Sequence, residues 1–85
     1  MDEGEPLYRE AINGARKTLG DAHPSTLISI GNLALLLQDQ GKLDGAEPLY
    51  REAVSGAEKT LGVEHPTTVT MQENLDLLLR DMGKA

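Results

Sequence analysis

The chain has 85 residues, 26% of them charged and 2% aromatic, with a formal net charge of −6 and no cysteine. That length holds one small domain, and the acidity argues against nucleic acid or an anionic membrane as a partner, since both require a basic surface. Missing thiols exclude disulfides, iron–sulfur sites and cysteine-type zinc sites; with no apolar run near 18 residues and no apolar leader, the expectation is a soluble, cytoplasmic chain.

The first predicted helix covers residues 3–19. Asp2 followed by Glu5 reads as a capping-box start, and Pro6 falls in the first turn, where a missing N–H costs little. Leu7, Tyr8, Ala11, Ile12, Ala15 and Leu19 then recur at spacings of three and four, a helical stripe that no strand can produce. Gly20 ends it. His23-Pro24 opens a second helix over 24–40, carrying Leu27, Ile30, Leu33, Leu36 and Leu37, with Gly41 as the stop. The third, over 45–61, repeats the first: Asp44 and Glu47 as the start, Pro48 in the first turn, Leu49, Tyr50, Ala53, Val54, Ala57 and Leu61 as the stripe, and Gly62 after it. The fourth, over 66–82, carries Val69, Met71, Leu75, Leu78, Leu79 and Met82 before Gly83. The loops are two to five residues long, so neighbouring helices run antiparallel. The fold class is all-α.

The chain is written twice. Residues 2–43 align without a gap on residues 44–85, and 25 of the 42 positions are identical. Such a period marks stacked supersecondary units, here within a single domain over 1–85. The two copies differ informatively. Ile30 becomes Gln72 and Ala34 becomes Asp76, which reads as a solvating cap on the last helix. The first helix has no comparable softening beyond Asn13 and Arg16.

Chemistry-bearing residues form no constellation. His23 and His65 sit in equivalent loops before proline and read as helix-start devices rather than metal ligands. Glu10, Glu52 and Glu58 lie opposite the apolar stripes and are expected to be solvated. Ser25, Ser29 and Ser55 have neither a triad order nor a glycine elbow, and the glycines make no phosphate loop. The expectation is a non-enzyme without cofactor or metal.

The run from Asn32 to Val54, with Ala34, Gly41, Ala46, Tyr50 and Ala53, resembles the tetratricopeptide repeat. "KTLGDAHPST" and "KTLGVEHPTT" resemble the extended helix and loop of the 42-residue form found in kinesin light chains. The resemblance implies a short right-handed α-solenoid, one complete unit at residues 24–61 between two half-units. It also implies a scaffold that holds a protein or peptide in a groove lined by helices 24–40 and 66–82. On that resemblance Asn32 and Asn74 face the groove, as hydrogen-bonding groups for a ligand or as ties between helices. Leu35 and Leu77 make its floor apolar, and Gly31, Gln38, Glu73, Arg80 and Asp81 form its rim. With Arg80 the sole cation there, a clamp for an acidic peptide terminus is not expected.

The alternative is a self-associating structural unit, a homodimer formed edge to edge or by exchange of a helix pair about residues 41–44. Burying Leu35 and Leu77 would return roughly 3–6 kcal/mol per chain before association costs. A softened C-terminal edge on a half-unit is explained by an excised fragment or by a designed or reconstructed repeat.

Overall fold

The computed structural model describes residues 4–83. Four helices follow one another: α1 (Gly4–Thr18), α2 (Pro24–Asp39), α3 (Leu43–Thr60) and α4 (Pro66–Asp81). Among the described residues there is no strand, and no helix is long and apolar enough to cross a membrane.

Each helix stops where its glycine reverses the backbone. Gly20, Gly41, Gly62 and Gly83 all have positive φ, between 75 and 97°. At the second of these, Lys42 N–H reaches Leu37 C=O (2.8 Å) and Gly41 N–H reaches Gln38 C=O (2.9 Å), so the end carbonyls of α2 are satisfied. Helices α2, α3 and α4 end one residue before the expected bound, because Gln40, Leu61 and Met82 serve as C-caps. The starts of α2 and α4 are set by histidine. His23 Nδ1 accepts from Ser25 N–H and His65 Nδ1 from Thr67 N–H, both at 3.1 Å, with Pro24 and Pro66 as the first helical residues.

The start of α3 departs from the expectation. It begins at Leu43, two residues early, and Lys42 holds the cap position without a side-chain cap bond. Asp44 is therefore inside the first turn rather than at the cap, and Glu47 accepts from Arg51 at 2.9 Å. Leu43, two residues after the turn at Gly41, is already helical and packs partly buried against the core. Pro48 consequently lies inside the helix, where it forfeits the bond to Asp44 C=O. The corresponding Asp2 lies outside the described residues.

Consecutive helices pack on one another, most extensively α2 on α3. The core runs through the stack as one cluster: Ile12 from α1, Leu27, Ile30, Leu33, Ala34 and Leu37 from α2, Ala46, Tyr50, Ala53, Val54 and Ala57 from α3, and Met71, Leu75 and Leu78 from α4. Small residues on α3 let α2 approach closely. A Cβ added at Gly56 would stand 2.5 Å from Leu27 Cδ2.

Long-range polar contacts define two layers. Lys42, just ahead of α3, donates to Glu5 of α1 at 3.3 Å, and Arg16 of α1 grips Glu52 of α3 with two bonds of 2.7 and 3.0 Å. Helices α1 and α3 therefore lie side by side and run the same way. Gln38 near the end of α2 reaches Asp81 at the end of α4 (3.4 Å), which makes that pair parallel too. The smallest dimension of the molecule, 16 Å, is that of two helix layers.

Two expectations change here. Glu52, its side chain still 39% exposed, is paired rather than free, and Arg16 is the residue that pairs it. The Arg16 guanidinium bridges Glu52 and Asp21 (2.9 Å), and these two carboxylates hold its proton far more tightly than usual. At the other end of the chain, Gln72 and Asp76 bond each other at 3.0 Å, with Asp76 exposed on the uncovered side of α4.

Candidate functional site

Between α2 and α4, in one layer, lies an open groove of about 320 Å³. Its α2 wall is Ile28, Gly31, Asn32 and Leu35, at spacings of three, one and three, a single helical face. Its α4 wall is Pro66, Thr67, Thr70, Met71 and Asn74. Gly31 leaves the middle of the α2 wall without a side chain, and a Cβ added there would meet nothing within 4 Å, so the groove is open at that point.

The lining carries no charge. Asn32 and Asn74 supply amide donors and acceptors, and neither side chain has a hydrogen bond within the described protein. Thr67 and Thr70 add hydroxyls. Ile28 and Leu35, 48% and 47% exposed, give the apolar surface, with Met71 beneath. The chemistry available is hydrogen bonding to a neutral polar chain beside apolar contact. No acid–base pair lines this groove.

Of the residues singled out in the sequence, the groove brings together Asn32, Asn74, Leu35 and Gly31. Leu77 is 51% exposed but does not line it, and neither do Glu73 and Arg80, which are exposed on α4. Gln38 is occupied elsewhere: its Oε1 accepts from the Tyr50 hydroxyl (3.1 Å) and its Nε2 donates to Asp81. That bond anchors a ring that is 1% exposed, and burial together with the nearby Asp39 charge raises the Tyr50 phenol above its ordinary pKa. Sequence reasoning missed Ile28, Thr67, Thr70 and Met71. Stepping back four residues from Asn32 and from Asn74 along a helix finds Ile28 and Thr70, so the signal was present. Met71 is hidden because it serves core and groove together.

The repeat period, the paired helices and the shared groove agree with a comparison of families: the tetratricopeptide repeat matches residues 1–25 and 26–67. The chain belongs to the tetratricopeptide-repeat family. Comparison with curated proteins gave no match. Tetratricopeptide repeats generally mediate protein–protein interactions and are typically non-catalytic, and the uncharged groove lies between α2 and α4, one of the two parallel helix pairs of this chain.

Proposed function

We propose that this tetratricopeptide-repeat chain is a non-catalytic scaffold whose α2–α4 groove holds an extended, uncharged stretch of a partner protein. The carrying observation is the convergence of Asn32 and Asn74 with Ile28, Leu35 and Met71 in one uncharged groove. The two amides pair with the backbone of the bound segment, and the apolar residues take one of its side chains. The test is fluorescence anisotropy with a panel of labelled octapeptides that differ in net charge and apolar content. Neutral peptides with an apolar residue bind best, and Asn32→Ala with Asn74→Ala weakens them about tenfold, two modest hydrogen bonds' worth. Unchanged affinity in the double variant overturns the site. Loss of helicity in its place makes the two asparagines structural.

A second reading, self-association, is favoured by the apolar residues that α1 leaves exposed, Leu7, Tyr8 and Leu19. Sedimentation across a concentration series decides it: a mass that rises toward twice 9.2 kDa supports it, and a constant 9.2 kDa removes it.

A further inference from the structure

Asn13 is the only asparagine of the chain that precedes a glycine; Asn32 and Asn74 each precede a leucine. The other copy of the repeat has Ser55 and Gly56 at the same positions. Asn13 and Gly14 are both exposed, and the Asn13 carboxamide has no hydrogen bond within the described protein. Ser55 is exposed as well, although α3 has a helix packed on either side of it, so the exposure belongs to the register and not to the edge of the stack.

We propose that Asn13–Gly14 is a site of spontaneous deamidation, with water as the co-reactant and the local opening of α1 as its gate. The Gly14 backbone nitrogen, its proton lost to solvent, attacks Asn13 Cγ. A bond from that nitrogen to Cγ forms, the Cγ–Nδ2 bond breaks, and Nδ2 leaves as ammonia, which closes a cyclic imide. Water then opens the imide at either carbonyl and leaves aspartate or isoaspartate at position 13. One water is consumed, one ammonia is released, and no electron is transferred. Glycine permits the attack because a Cβ on the following residue crowds the ring closure.

A closed helix forbids it. There the Gly14 N–H is committed to Glu10 C=O, and the helical ψ of Asn13 keeps the nitrogen away from Cγ. The gate is weakly held. Helix α1 buries one side chain, Ile12, where α2 buries six and α3 five, so opening α1 alone costs less than unfolding the chain. Gly14 lowers helix propensity, and the Thr18 hydroxyl donates to Gly14 C=O (2.9 Å), in competition with the helix ladder. What fastens this end is Arg16, two positions past Gly14, through Glu52 and Asp21. Asp44–Gly45 is not an equivalent site. An ionised carboxylate offers no comparable leaving group, and the Gly45 N–H donates to Lys42 C=O (3.2 Å) at the start of the better-buried α3.

The product acts on the same end of α1. A carboxylate at position 13 stands one helical turn from Arg16 and competes with Glu52 for its guanidinium. Isoaspartate also routes the backbone through a side-chain carbon, which breaks the helical register. The modified chain therefore holds α1 on α3 less tightly.

The experiment incubates the full chain in mildly alkaline buffer, folded and in urea, and follows each asparagine by peptide mapping with mass spectrometry. Asn13 converts in the folded chain, slower than in urea by about tenfold to a thousandfold, the span of a local opening. Each converted molecule carries one more negative charge than the formal −6. Gly14→Ala nearly abolishes conversion in both states, and Glu52→Gln speeds it about threefold or more in the folded one. Circular dichroism checks that this variant is folded; should it not be, Asp21→Asn, at an exposed loop position, is read in its place. The purified isoaspartyl product melts at least about 4 °C below its parent. A folded rate within about tenfold of that in urea, or slower by more than about a thousandfold, overturns the proposal. So does conversion that survives Gly14→Ala, a rate indifferent to the loosened Arg16 grip, faster conversion at Asn32 or Asn74, or an isoaspartyl product as stable as its parent.

Discussion

Thr26 and Thr68 occupy the same register in α2 and α4, are 0% and 2% exposed, and have hydroxyl oxygens without a hydrogen-bond partner. A buried hydroxyl that bonds nothing costs stability, and valine has its shape without the polar atom. Thr26→Val and Thr68→Val should each stabilise by about 1 kcal/mol in urea unfolding; destabilisation would mean that the hydroxyls have partners in solution. Tyr50 gives a pH test. Its phenol pKa is raised, so the stability it contributes is fully present below the unfolded value near 10 and is lost as pH rises through the folded value. In a Tyr8→Phe background, ultraviolet titration should show the one remaining phenol ionising above the ordinary range, together with alkaline unfolding. Ionisation at the ordinary value would show that the ring is not shielded.

At the scale of the helix, Gly56 carries the sharpest prediction. Alanine usually strengthens a helix interior, but at Gly56 its Cβ would press into the side chain of Leu27, which is 1% exposed and would have to shift within the core. Gly56→Ala should therefore destabilise by about 1–3 kcal/mol, the ordinary cost of overpacking, read by thermal or urea unfolding. A neutral or stabilising result would show that α2 can shift. The helices themselves were legible because apolar residues at three and four, His-Pro starts and glycine stops all point the same way. The start of α3 was not legible, since Asp44 and Glu47 imitate a capping box and only the packing of Leu43 decides against it. Asn32, Asn74 and Leu35 could be placed on the groove through the family resemblance. Leu77, at the register of Leu35, is exposed on α4 outside the lining of the α2–α4 groove.

Across the whole molecule, what escaped the sequence is what needs two distant segments at once. Arg16 and Glu52 are 36 residues apart, and their pairing exists only once α1 and α3 lie side by side. The Glu5–Lys42 bond is of the same kind. Hydrogen bonds from Arg9 first and then Lys42 hold the Glu5 carboxyl below its usual range. A depressed carboxylate contributes stability that is present above the unfolded pKa near 4.3 and is lost as pH falls through the folded value. Acid unfolding should thus begin below about pH 4, and Glu5→Gln should flatten that part of the pH–stability curve. An identical acid limb in the variant would show that Glu5 has no share in it.

Those two cross-stack bonds lie in the α1–α3 layer, the side turned away from the groove. A curved stack has an inner and an outer rim, and fastening the outer rim at two points sets how far successive units fan apart. The two fasteners are unequal: Lys42 is half exposed, while the Arg16 pair is part-buried and doubled by Asp21. Salt screens the exposed one first. The Arg16 end of that layer should therefore keep its pairing to higher ionic strength than the Lys42–Glu5 pair does.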